Sequence, residues 1–527
     1  MLRSLVAILF LSLIVGSACQ RRSSGFVTVA LPETFSSLDT LTSTSSDAAA
    51  ERVRNLMFNS LVRKNESFDY VGELASEIQT SDDGLSLIFK LRSGVKFHNG
   101  KDFTSADVKY TFDKLFDSKG YKSGAFFDTA PLAPGEKSAG PAKTKQVAHI
   151  TRIETPDAAT VIFGLDRAGL KNQLLSNLVA IPIIPEGTSG EQSTSPVGSG
   201  PFKFVNFDQS QNTVDLEANE DYWEGAPSIA KLRVKTITDA SALQAELQTG
   251  AVDIAPVPSN LPPDSLKVIS SLPGLRVEQF DGSNIQYIGL NTASPPLDKV
   301  KVRQAIGYAI DREKIIKELL SGQARLANSI LPESSWAFTP GTVYNYDPEK
   351  ARELLKESGY KNEPIKFKFS AGNAAFSSYA QAIHSTLLDV GLNVQIETLD
   401  PTTLRQQLAQ GQFQLNTGVW IGGNQDPLFL KDLFTTGRIP GEGVSCCNRS
   451  RYSNVEVDRM VDSAINEPDK EKAKALYQNA WEMISRDAPL LPLWYPANMV
   501  VARDRVQNIR IGPSGDWSFI KDITVSN

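Results

Sequence analysis

Side chains that readily run acid, base or metal chemistry are scarce in this 527-residue chain. It holds three histidines, His98, His149 and His384, and three cysteines, Cys19, Cys446 and Cys447. No histidine sits in an HExxH motif or has a metal-spaced partner, so zinc and imidazole-base mechanisms lack parts. No G-x-S-x-G nucleophile elbow occurs. Gly94 to Lys101 has the outline of a phosphate loop, but one residue too many separates its glycines and Asp102 stands where Ser or Thr is required. The 60 acidic residues make chance carboxylate pairs inevitable, so such pairs carry no signal. What remains is recognition chemistry. The run WIGGNQDP, Trp420 to Pro427, combines an indole that can stack, glycines that let another backbone approach, and an amide for neutral hydrogen bonds. Trp420 reads either as a stacking platform or as core at a strand end, and Trp494 and Tyr495 share that ambiguity. Arg449 and Arg451 either grip a carboxylate or project into solvent. No metal or cofactor is expected.

Composition is that of a soluble globular protein, 41% hydrophobic and 22% charged. The length suggests about three or four folding units. A net charge of -6 without a Lys/Arg-dense stripe excludes nucleic acid as a partner. Arg3, the apolar stretch Leu5 to Val15 and the small residues Gly16-Ser17-Ala18 before Cys19 read as an export signal, too short to span a bilayer.

The elements that must position the recognition residues are strands and helices in alternation. Leu85, Leu87, Phe89 and Leu91 share one strand face, glycine-bearing turns follow at 93–94 and 99–100, and Thr104 with Asp107 makes an acidic capping box ahead of a helix carrying Val108 and Phe112. Phe26 begins a strand that breaks at Pro32, Asp47 to Val62 reads as an amphipathic helix, and Gly120 to Val147 as a long surface excursion. Asp347-Pro348 opens a helix ending at Gly359, a helix with Ile383 and Leu387 stops at Gly391, and Val394 with Ile396 starts a strand. Two blocks correspond: DASALQAELQTGAVDI from Asp239 and DPTTLRQQLAQGQFQL from Asp400 each give an Asp N-cap, a leucine-faced helix, a glycine stop and a strand. They read either as two units sharing a common loop length or as equivalent units of two facing α/β lobes. Ligands of open α/β sheets lie beyond the carboxyl ends of strands, which here selects Ala255 to Pro258 and Val419 to Pro427.

The segment LRSGVKFHNGKDFTSADVKYTFD resembles the hallmark of bacterial extracellular solute-binding proteins of the peptide/nickel class, family 5. VGSGPFKF from Val197, EANEDYWEGAP from Glu217, YIGLNTASPPLDKVKVRQAIGYAIDREKI from Tyr287 and APLLPLWY from Ala488 extend the resemblance over nearly the whole chain. It implies an α/β, periplasmic-binding-protein-like, two-lobed fold with mixed sheets and an inserted third small domain. The implied division is a signal peptide at 1–18, a tether at 19–25 lipid-anchored through Cys19, lobe I at 26–43, 187–282 and 490–527, the small domain at 44–186, and lobe II at 283–489. The Ala488 strand is expected to return to lobe I. In peptide-binding relatives a W-x-x-D-x-x-x-P pattern holds the ligand's amine on its Asp; here Gly423 takes that place and Asp426 lies three residues on. Val419, Trp420, Ile421, Gly423, Asn424 and Asp426 are therefore the candidate ligand residues, with Asn448 and Arg449 from a loop the family keeps near the cleft, and Trp494. Cys446 and Cys447 read either as a strained vicinal disulfide or as two thiols or cysteines paired otherwise. The resemblance implies an exported, monomeric receptor anchored at the periplasmic or outer face of the cell membrane, passing a small solute or oligopeptide to ABC permease subunits. Its rivals are a solute-binding sensory lipoprotein and a secreted hydrolase.

Overall fold

The computed structural model describes residues 25–35, 37–44, 47–131, 144–371, 374–422, 425–441 and 447–526. The signal segment, Cys19, Gly423, Asn424 and Cys446 lie outside them. No described helix is long and apolar enough to cross a membrane.

Two large mixed sheets carry the α/β architecture. The seven-stranded sheet runs in the order 202–208, 213–218, 231–236, 26–31, 254–256, 498–503, 275–280, and the six-stranded one 324–326, 490–496, 285–290, 415–420, 365–370, 394–399. A four-stranded antiparallel sheet, 75–80, 86–91, 160–165 and 150–157, lies in sequence between strands 26–31 and 202–208 of the seven-stranded sheet.

The two corresponding blocks occupy equivalent places. Asp239 caps helix Ala240–Thr249, which stops at Gly250 and leads to strand Ile254–Pro256. Asp400 caps Pro401–Gln410, which stops at Gly411 and leads to Leu415–Trp420. Both glycines have a left-handed backbone, φ 82° and 74°. In each block the helix carries the chain over one intervening parallel strand: Phe26–Leu31 in the first sheet, Ile365–Ser370 in the second. A shared loop length alone does not produce this shared crossover, so the equivalence is topological.

The chain passes between the sheets twice, and the passages lie side by side. Leu275–Phe280 pairs antiparallel with Asn498–Arg503, and Ile285–Leu290 pairs antiparallel with Leu490–Pro496. Leu490–Pro496 therefore belongs to the six-stranded sheet, a correction to the expected return at Ala488; the return comes at Asn498. The ladder from Ile285 to Leu290, buried along its whole length, explains why: Trp494 and Leu493 complete the second core. Between the ladders a Cβ on residue 282 would fall 1.9 Å from the Pro496 carbonyl oxygen, which only glycine avoids.

In the family-like segment, Leu87, Phe89 and Leu91 are buried as the alternation requires, while Leu85 precedes the strand and is exposed. Asp107 accepts a 2.9 Å bond from the Thr104 amide, closing the capping box of helix Ser105–Ser118. His98 joins this turn to the Val197 turn. Its Nε2 donates to the Gly200 carbonyl at 3.0 Å, its Nδ1 accepts from the Gly198 amide at 3.3 Å, and its own amide donates to the Gly198 carbonyl. The expected helix from Asp47 ends at Met57, short of Val62. The Met57 carbonyl is taken instead by the Gly200 amide, and Asn59 and Ser60 turn to the Glu73 carboxylate at 2.7 Å. Within the Gly120 to Val147 excursion, Phe127–Pro131 and Thr144–Ala148 pair as a hairpin that its weak periodicity concealed.

Burial pushes the His98 pKa down to about 4, and only a neutral ring fits a donor at Nδ1 and a carbonyl at Nε2. The unfolded chain takes up this proton near pH 6.5, so stability is full above that value and falls as pH drops toward 4. The loss attributable to His98 is on the order of 3 kcal/mol. Denaturant titrations at pH 7 and pH 4.5 should show it, and His98→Gln should be less stable at pH 7 but lack this pH-dependent component.

Candidate functional site

The site forms where strand Leu415–Trp420 ends. Its residues alternate between faces: Leu415 joins the second core, whereas Asn416, Gly418 and Trp420 face helices 429–434, 455–466 and 470–487. Opposite Gly418 lies Tyr287, and a Cβ at 418 would sit 3.0 Å from its hydroxyl. The missing side chain lets the phenol lie across the sheet and stack on Trp420, centroids 6.2 Å apart and 19° between planes. Phe429 meets Trp420 edge-on at 5.2 Å, and the Arg449 guanidinium lies 5.6 Å from the indole centroid. Burial raises the pKa of the Tyr287 phenol, and the nearby Arg449 guanidinium opposes the rise.

A second group closes on this end of the strand from the hairpin Val62–Lys64 and Tyr70–Gly72. The Tyr70 hydroxyl donates to Asp426 Oδ2, Lys64 Nζ donates to Gln425 Oε1 at 3.1 Å, and Gln425 Nε2 donates to Ser283 at 3.0 Å. Two ion pairs flank it, Lys470 with Asp69 at 3.1 Å and Lys431 with Asp128 at 3.6 Å. Asp128 is also held by His149 and Arg167, which keep its carboxyl well below the usual range. Burial raises the Tyr70 pKa, reinforced by Asp426, and lowers that of Lys64, with Asp426 opposing.

The candidate residues divide. Val419 and Trp420 are half-buried at the strand end, and Ile421 is 60% exposed. Arg449 joins them. Asp426 does not offer a free carboxylate: it is 9% exposed, and its second oxygen accepts from the Leu428 amide at 2.7 Å. Asn448 is fully buried, donating to the Thr435 and Tyr452 carbonyls and accepting from the Tyr452 amide. Its amide is spent on the loop that carries Arg449, so it is a positioning residue. Trp494 is 2% exposed, packed edge-on against Tyr379 at 5.1 Å, and resolves as core; Tyr495 does likewise, its hydroxyl donating to the Ser329 and Leu331 carbonyls. Arg451 turns to the end of helix Pro401–Gln410, donating to the Ala409 carbonyl. Ala255 and Pro256, in a strand of the seven-stranded sheet, and Pro258 just beyond it are buried. Gly423 and Asn424 lie outside the described residues. Cys447 is disulfide-bonded. Sequence reasoning missed Tyr287, Lys64 and Tyr70. An aromatic cross-strand from a glycine could have flagged Tyr287; the short hairpin of the other two has no periodic signature.

Among the described residues this arrangement supplies aromatic surface, cations and amides but no nucleophile with a base, a set suited to holding a solute. The profile of bacterial extracellular solute-binding proteins, family 5, matches residues 69–441. The chain belongs to this family. Its members bind solutes and are not enzymes. This solute-binding protein is 29% identical over 515 residues to heme-binding protein A of Haemophilus influenzae, covering 94% of this chain and 91% of that one. It is 27% identical to the oligopeptide-binding protein AppA of Bacillus subtilis, covering 90% and 87%. The structure of AppA with a nonapeptide superposes with a TM-score of 0.74 over 95% of this chain and 99% of that one, at 23% identity.

Replacing Asn448 by alanine deletes three buried hydrogen bonds of the solute-binding protein's Arg449 loop and should cost roughly 2–3 kcal/mol. Urea unfolding should show this shift in midpoint with little change in slope.

Proposed function

We propose that this protein is the lipid-anchored receptor of an ABC importer, closing two lobes around a peptide or related polar solute and delivering it to the permease. On this reading lobe I comprises 26–43, 187–282 and 497–527, the small domain 44–186, and lobe II 283–496, with Cys19 acylated outside the cytoplasm after removal of 1–18. The observation that carries the reading is the pair of adjacent passages between the sheets, at 281–284 and at Ala497. Near the site the two halves also meet through polar side-chain contacts, Tyr70 with Asp426, Lys64 with Gln425 and Lys470 with Asp69. Such contacts exchange for water at small net cost, so the halves can part and a ligand touching both can favour the closed form. The names of two relatives, an oligopeptide binder and a heme binder, support a reading in which the solute is a peptide or another sizeable molecule.

Mass spectrometry of the protein purified under native conditions should identify its cargo. That cargo, at 100 times its dissociation constant, should stabilise the stripped protein by about 2.7 kcal/mol and be recovered unaltered. Trp420→Ala should weaken the effect, because it removes the support beneath Arg449 and Tyr287. Chemical alteration of the cargo would favour a hydrolase, and full binding by Trp420→Ala would refute the placement of the site.

A further inference from the structure

We propose that the ligand presents a carboxylate to this site, held by the guanidinium of Arg449, and that a free ligand ammonium is not what the site recognises. The inference rests on the reading of the protein as a receptor of peptide-like solutes and names the ligand group that decides affinity.

The argument starts from charge left unmatched. Around the strand end, Lys431, Arg438 and Lys470 each have a carboxylate, Asp128, Asp432 and Asp69, at 3.6, 2.8 and 3.1 Å. Arg449 has none among the described residues; its guanidinium lies 5.6 Å from the centroid of the Trp420 ring and within electrostatic reach of Tyr287. A half-buried guanidinium has lost part of its hydration, and a cation–π contact returns roughly 0.5–2 kcal/mol without neutralising it. A planar guanidinium fork of this kind can hold a carboxylate bidentately while lying over an aromatic face.

The acidic side of the site gives the complementary result. Asp426 is the sole acidic residue from Leu415 to Leu430. Its oxygens are taken by Tyr70 and the Leu428 amide, and it lies within electrostatic reach of Lys64. Lys64 itself makes no salt bridge among the described residues, only the bond to Gln425 and a 5.7 Å approach to the Tyr70 ring. An arriving ammonium would meet two cations and an occupied carboxylate. A carboxylate would meet a prepared partner.

The test uses the full-length protein stripped of cargo and randomised tripeptide mixtures in four forms, with the amine free or acetylated and the carboxyl free or amidated. Thermal unfolding and calorimetric titration are the readouts. Both free-carboxyl forms should bind, acetylated or not, and amidation should weaken binding about tenfold to a hundredfold. Arg449→Ala should erase the difference between acid and amide, and Arg449→Lys, which keeps the charge and the packing stem, should fall between. Equal binding of amide and acid forms, a requirement for the free amine, or an unchanged preference in both variants would overturn the inference while leaving the receptor reading intact. Binding of none of the four forms would instead remove the peptide-receptor reading, and the inference with it.

Discussion

The constraint on which the structure depends is the paired passage of the chain between its two large sheets. Phe280 to Ile285 runs one way, and Pro496 to Asn498 returns beside it, so the ladder of one sheet continues into the ladder of the other. The approach is close enough that residue 282 must be glycine beneath the Pro496 carbonyl. Asn498 ties the passage to its surroundings by donating to the Asp281, Gly512 and Pro513 carbonyls. Each sheet has its own apolar core, and the cores are separate clusters. Two bodies with independent cores and a narrow covalent joint can move as units, because the apolar burial that stabilises each is unchanged by the motion.

The same logic explains the division of polar residues. Two buried arginines of the second body are held largely by backbone: Arg303 donates to the Asp487 and Leu297 carbonyls, and Arg312 to those of Ala327, Pro492 and Tyr344. Contacts between the Tyr70 hairpin and the 425–470 region are instead side chain to side chain, a class that is individually weak and easily traded for water. The strand end carrying Trp420 sits at that seam, so on the proposed reading recognition and closure would involve neighbouring atoms.

The fold was legible where local chemistry and long-range packing agree. Asp239 and Asp400 as N-caps, Gly250 and Gly411 as stops, and Leu87 and Phe89 as an inward face need only short-range reasoning and are realised as read. The helix from Asp47 was overextended because what ends it, the Gly200 amide on the Met57 carbonyl, lies far away in sequence. In the site, Trp420 and Arg449 were accessible from residue type and family likeness. Asn448, Asp426 and Trp494 were not assignable, since a polar or aromatic side chain looks the same in sequence whether it faces a ligand or is already satisfied. Tyr70 and Lys64 come from a segment some 350 residues earlier, and no local pattern announces that they meet Asp426 and Gln425.

The central claim is that the two bodies part and close about the Gly282 passage. Spin labels on cysteines placed at Ser67 and Lys472, exposed positions near the Asp69–Lys470 ion pair, measure this directly by pulsed dipolar spectroscopy. The account predicts one short, narrow distance in the cargo-loaded protein and a longer, broader distribution once cargo is stripped. The same narrow distance in both states would contradict it.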